Sequence, residues 1–251
     1  MRRKILRLHR VIALQQTPLT YMGRLLLFFL CAFAARNAAA QTKPRPALKR
    51  ELDSIFVVDQ RYREMIMQSF TPAGAQVVAA KLDMTVQQAS TFLGHRMQRN
   101  DSSDLRRIDQ IMRQDGYPGK SLVGTPTNEA AFYVIQHAPL ATINQYLPQI
   151  KRAAEQGELP FRLYAMMLDR QLMYQDQEQV YGTQGRGYTV KNPTTGQLQQ
   201  KMLIWPIKDA ASVNQRRKQA GFEQTVEENA KRLSTTYRVL TLEEAKGLLN
   251  Q

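Results

Sequence analysis

The segment at residues 160–175, PFRLYAMMLDRQLMYQ, constrains the fold more than any other part of the chain. At 100° per residue, Phe161, Tyr164, Ala165, Leu168 and Leu172 form one face of a helix, and Leu163, Met166, Met167 and Met173 cover most of the remainder. A helix that is apolar nearly all round is a buried helix. Asp169 and Arg170 sit near its middle. Neighbours on a helix point about 100° apart, so these two cannot pair with each other. Each needs a partner from another segment, because an unpaired buried charge costs several kcal/mol.

The rest of the chain supplies the helices against which such a segment packs. Leu48, Leu52, Ile55, Phe56, Val58, Tyr62, Met65 and Ile66 recur at threes and fours, which predicts a first helix that Pro72 and Gly74 interrupt. A second helical region covers residues 76–99, with a break near Asp83. The run NDSSD, residues 100–104, reads as the N-terminal cap of a further helix that Gly116 stops. Residues 116–126 read as a loop, and Thr127 or Asn128 as the cap of a helix through Ala130, Ala131, Val134 and Ile135. Residues 141–155 make another helix, ended at Gly157, and Pro160 opens the buried one. Late in the chain, Thr195–Gly196 lies between extended segments and predicts a hairpin. Asp209 can cap a last helical region interrupted at Gly221, and TLEEAKGLLN closes the chain as a helix. The expected fold is mainly α: a single helical domain over residues 48–251 with one small, late antiparallel β-hairpin.

The first forty residues read differently. An arginine, the apolar run at residues 25–35 and small residues at Ala38 and Ala40 follow the order of a secretory signal cleaved before Gln41. Met22 offers an alternative start, and the apolar run is too short to span a membrane comfortably. Leu30 is too bulky for the small position that a lipid-anchor site at Cys31 wants. Residues 41–47 form a proline-bearing linker. The expected location is therefore outside the cytoplasm, periplasmic or extracellular. The segment 1–40 holds seven basic residues and no acidic one, so the net charge of +14 falls to +7 on its removal. The remaining charges alternate in sign, as solvated helix faces do, and no basic stripe points to nucleic acid. Cys31 is the only cysteine and leaves with the signal, so the mature chain has no disulfide, thiolate nucleophile or cysteine-ligated metal.

Two segments offer company to Asp169 and Arg170. In VIQHA, Gln136 and His137 close an apolar helix. In QVYGTQGRG, residues 179–187, three glycines accompany Gln179, Tyr181, Thr183 and Gln184, far more hydrogen-bonding side chains than a connection needs. The glycines match neither a dinucleotide fingerprint nor a phosphate loop, since no strand precedes them and no lysine follows at the required spacing. His95 and His137 stand in separate segments without metal-ligand spacing, and no cofactor or metal is implied. A carboxylate on one nitrogen of His137 would fix its tautomer and free the other as acid or base. An arginine would add a planar fork for an anion. The alternative is a structural network, in which these groups satisfy one another with no cavity between them.

DQRYR (residues 59–63), GYPG (116–119), IQHA (135–138), LDR (168–170), QVYGTQ (179–184) and VNQRRKQAGF (213–222) occur in this order. The set resembles the bacterial domain-of-unknown-function family 6624, over about residues 48–222. Tyr117 stands where that family more often has tryptophan, and Asn214 where it often has aspartate. The resemblance implies no activity. It does imply that Asp59, Gln60, Arg63, His137, Asp169, Arg170, Gln179, Tyr181, Gly182, Thr183, Gln184 and Arg217 occupy motif positions. Two functions follow as expectations. One is an exported module whose polar cluster is structural or serves interaction. The other is an enzyme, hydrolase or group transferase, or a binder of a polar or anionic small molecule. In that second reading His137 is the acid–base group and Asp169 its orienter. Arg170 and Arg63 clamp the anion, Gln179, Tyr181 and Gln184 position it, and Asp59, Gln60, Thr183 and Arg217 complete the site. Amino-terminal sequencing of the protein from its native host should begin at Gln41; a sequence that begins upstream of residue 40 contradicts the signal.

Overall fold

The structure is a computed structural model that describes residues 44–250. Residues 1–40, the expected signal segment, lie outside the described residues. Helix α1, Pro46–Gln68, starts two residues before the expected domain boundary, because Pro46 sits in the first turn, where a missing N–H costs nothing. Thr71 caps α2, Pro72–Lys81, by accepting from the Gly74 N–H. Asp83 adopts a left-handed conformation (φ 53°) at the predicted break.

Helix α3, Val86–Asp115, begins with a capping box between Thr85 and Gln88 and runs on for 30 residues. The predicted start at residues 100–104 is overturned: the NDSSD run lies inside this helix. Its polar side chains find other work there. Ser102 and Ser103 donate back to the carbonyls of Gln98 and Asn100, and Asp101 faces Arg63 on α1. The buried stripe of Ala89, Leu93, Ile108, Ile111 and Met112 carries the helix through. Glu51 pairs with Arg107 and Arg63 with Asp101, so α1 and α3 run antiparallel.

The segment after Gly116 is a loop only in part, since residues Lys120–Val123 make a single turn, α4. A 3-10 turn at Thr127–Glu129 leads into α5, Ala130–Ile135. Neither Thr127 nor Asn128 caps α5 as predicted. The Thr127 hydroxyl donates to Asp53 at 2.5 Å, and the Asn128 amide donates to the Glu158 carbonyl at 2.7 Å. Helices α6, Leu140–Glu155, and α7, Phe161–Tyr174, then pack side by side. Residues of α1 and α3 to α7 share one apolar core that includes Leu52, Ile108, Phe132, Ile143, Tyr146, Ile150, Leu163 and Met167.

Strands β1, Gly185–Lys191, and β2, Leu198–Ile204, form the hairpin, with Gly185 opposite Ile204 and Lys191 opposite Leu198. The Asn192 side chain accepts from the N–H groups of Thr194 and Thr195 and shapes the turn. Alternation at the base of β2 sends neighbouring residues into two small cores. Leu203 and Trp205 join Met173, Leu240 and Ala245. Ile204 joins Ile207, Val213, Val226 and Ala230. Helices α8, Val213–Gln219, α9, Val226–Arg232, and α10, Leu242–Leu249, complete the described chain. Asp209 does not cap the predicted helical region with its side chain; it is left-handed (φ 48°) and bonds Arg216 instead. The observed architecture is mainly helical with one two-stranded antiparallel sheet. None of the described helices is long and apolar enough to cross a membrane.

The α1–α3 contact carries a charge imbalance. Arg63 bonds both Asp59 and Asp101, while Asp104 lies close enough to feel both carboxylates and has one buried oxygen without a partner. Burial, then Asp59 and then Asp101 raise the Asp104 carboxyl from 3.8 to about 6, against the opposing pull of Ser103 and Arg63. A carboxyl raised on folding contributes stability that is complete below the unfolded pKa and is lost as pH rises through the folded one. Asp104→Asn should therefore raise Tm at pH 7.5 by about 2–4 °C, after a discount for the part-exposed site, and change it little at pH 4. Melting curves at the two pH values check this.

Candidate functional site

Asp169 is fully buried in the middle of α7, where the loop at residues 178–184 wraps its carboxylate. Oδ1 accepts from the Val180 N–H at 2.7 Å and the Tyr181 N–H at 3.0 Å. Oδ2 accepts from the Thr183 N–H and the Thr183 hydroxyl, both at 2.9 Å. Burial pushes this carboxyl up, against the hydrogen bonds from Thr183, Tyr181 and Val180. Both oxygens face donors and neither faces an acceptor, so the ionised form is the one that the loop fits.

Most of the remaining polar groups of the loop are also paired. The Gln179 side chain donates to the carbonyls of Gln184 and Trp205 and accepts from the Gln184 N–H. The Gln184 amide donates to the Met166 carbonyl and the Thr183 hydroxyl. The carbonyls of Val180, Tyr181 and Gly182 accept from Arg216, Arg217 and Asn229. Gln179 also joins the segment after β2: its N–H donates to Pro206, and its carbonyl accepts from Lys208. Gly182 is left-handed (φ 65°), and a Cβ there would lie 2.6 Å from Ile207 and 2.8 Å from Val226. Only glycine serves at that position. The abundance of hydrogen-bonding side chains in QVYGTQ is thus the requirement of a loop packed where water cannot satisfy its backbone.

His137 belongs to a different neighbourhood. It follows α5, is solvent-exposed, and its ring makes no hydrogen bond or ion pair among the described residues. Partial enclosure first, and then Arg63 and Arg170, push its pKa down to about 3. These two arginines, one on α1 and one on α7, act on it through their charge and without a hydrogen bond. Arg63 is held as a fork, with Nε and Nη2 on Asp59 Oδ1 at 3.1 and 3.0 Å and Nη2 on Asp101 at 2.5 Å. Gln60 donates to the same Asp59 at 2.7 Å. Arg170 has only a long contact, 3.4 Å, to the Tyr174 hydroxyl.

The predicted constellation therefore separates. Asp59, Gln60, Arg63, Arg170 and His137 gather at the α1 side. Asp169, Gln179, Tyr181, Thr183, Gln184 and Arg217 gather around the loop. Asp169 is not the orienter of His137, because the loop occupies both its oxygens. Arg170 leaves the helix on another side, as adjacent helical residues must. The sequence reading missed Arg216, Asn229, Asp101 and Asp104. Arg216 stood beside Arg217 within VNQRRK and could have been included; Asn229 carried no signal of its own. Asn214, the departure from aspartate, accepts from the Val226 N–H and donates to Glu227, a pairing that a second carboxylate would turn into repulsion. Clefts lined by described residues open elsewhere. One lies along α3 beside the exposed His95, another is an apolar groove between α1, α2 and α3, and a third is polar, beside Gly116 and Tyr117. No group of histidine, cysteine and acidic residues suited to a metal occurs among the described residues.

Residues 46–241 match the Family of unknown function (DUF6624), and the chain belongs to that family. No curated protein and no solved structure matches it.

Replacement of Asp169 by Asn turns an amide donor toward backbone donors and should lower stability by about 3–5 kcal/mol. Gly182→Ala combines left-handed strain with overlap and should cost about 2–4 kcal/mol. Urea unfolding of each variant measures both.

Proposed function

We propose, with membership of that family as the premise, that the chain is an exported, non-catalytic module whose shared polar motifs chiefly build its fold. The observation that carries this reading is the dense pairing of the 179–184 backbone: the N–H groups of Val180, Tyr181, Thr183 and Gln184 and the carbonyls of Val180, Tyr181 and Gly182 meet Asp169, Gln179, Arg216, Arg217 and Asn229. A loop so occupied spends most of its polar groups on the fold itself. The state of His137 agrees. No carboxylate or other hydrogen-bond partner orients its ring among the described residues, as an acid–base role for it would need. The signal-like order of residues 1–40 supports export.

One observation favours a second reading, in which the chain binds a small anion. Arg170 has no ion pair among the described residues, and it shares the surroundings of His137 with Arg63. A neutral imidazole can donate one hydrogen bond while the Arg170 guanidinium supplies charge, Arg63 being held by Asp59 and Asp101.

Titration calorimetry with inorganic phosphate separates the two readings. The first predicts no saturable heat, and a His137→Gln variant that melts within about 2 °C of the native chain, as exposed substitutions do. Saturable binding that weakens at least tenfold in Arg170→Gln would instead establish the second.

A further inference from the structure

The GYPG motif finds no use in either neighbourhood. Its first two residues, Gly116 and Tyr117, form one wall of a polar cleft of about 240 Å³. The opposite wall is a single stripe along α6 and its C-cap residue, Gln156. Gln149, Arg152, Ala153 and Gln156 follow the i, i+3, i+4, i+7 spacing that places side chains on one face. Ala153, the small residue of the four, is buried and leaves room above itself. Glu158 closes the end beyond α6.

The walls are held firmly. The Tyr117 hydroxyl donates to the Asn128 carbonyl at 2.7 Å. The Glu158 carbonyl accepts from Asn128 Nδ2 and from the Lys120 N–H, and Glu158 Oε2 accepts from the Ser121 N–H at 2.7 Å. A Cβ on Gly119 would lie 2.4 Å from the Glu158 carboxylate, so glycine in this motif is what lets the two segments close.

Three groups facing this cleft have unspent capacity. The Arg152 guanidinium is in no ion pair or side-chain hydrogen bond among the described residues, while its neighbours Lys151 and Glu155 pair with each other. Gln149 Oε1 is buried and has no hydrogen-bond partner. The Glu158 carboxylate keeps acceptor positions beyond the one that Ser121 fills. The cleft thus offers one cationic fork, one neutral acceptor and one anion. It is smaller than the roughly 300–1,000 Å³ of sites for drug-sized ligands. A simple carboxylate would leave Gln149 and Glu158 unanswered. A simple amine would meet Arg152 as a like charge, and a polyanion would meet Glu158.

We propose that this cleft binds a small zwitterion of the α-amino-acid class, its carboxylate on Arg152 and its ammonium group on Gln149 Oε1 and Glu158. The site shares no residue with the His137 or Asp169 neighbourhoods, so it stands or falls independently of the function proposed above.

Calorimetric titration of the full-length chain with glycine, L-serine, sodium acetate and ethanolamine tests this. Glycine and L-serine should bind with 1:1 stoichiometry, and acetate and ethanolamine at least tenfold more weakly. Arg152→Gln, a change at an exposed position, should weaken L-serine binding at least tenfold with Tm unchanged. The proposal is overturned if neither amino acid gives a saturable heat, if acetate or ethanolamine binds as well as L-serine, or if a folded Arg152→Gln variant binds L-serine like the native chain.

Discussion

The second half of this protein is organised by one buried carboxylate. Asp169 projects from a helix whose other faces are leucine, methionine and tyrosine, and its charge is tolerable only because a loop eleven to fourteen residues later delivers N–H groups to it. The dependence runs both ways. Without Asp169, the N–H groups of Val180, Tyr181 and Thr183 would be unmet behind the hairpin. Arg216, Arg217 and Asn229 take the carbonyls on the other side of the same loop. Helix α7, the loop, the base of the hairpin, α8 and α9 are thereby joined through a handful of polar atoms, and the apolar contacts of Ile204, Ile207, Val213 and Val226 fill in around them.

The first half rests on a looser electrostatic arrangement. Arg63 serves two aspartates on two helices, and a third, Asp104, stays within range of both without a cation of its own. The apolar stripe shared by α1 and α3 is strong enough to hold that imbalance. Stable networks and tolerated imbalances therefore coexist in one chain. They differ in whether the polar groups are backbone, which must be paired, or side chains that can change protonation state.

What the sequence made legible follows from the same distinction. Periodicity showed the helices, because burial of one face leaves a repeating trace, and the Thr195–Gly196 turn between extended segments showed the hairpin. Periodicity also showed that Asp169 needs partners from elsewhere; the same expectation for Arg170 fails, because that side chain is only half-buried and, among the described residues, bonds nothing but Tyr174 on its own helix. It could not show that NDSSD lies inside a helix. Serine and aspartate favour caps by propensity, and only the carbonyls one turn back and an arginine on another helix reveal the alternative. Nor could it separate the two neighbourhoods. The motifs were read as one cleft because their residue types suit catalysis, yet aspartate, glutamine and threonine suit the pairing of buried backbone equally well. Which use applies depends on the direction each side chain leaves its helix, and that is fixed only when the helices pack.

The hairpin illustrates a last division of labour. Its base is clamped on both faces by Leu203, Trp205 and Ile204, whereas Leu198 and the turn residues at the far end remain open to solvent. It behaves as a cantilever: packed against the body at its root, and held at its tip only by the turn's own hydrogen bonds. Residues 192–197 could therefore be lengthened, shortened or redecorated without disturbing either small core, while the root has to keep its register.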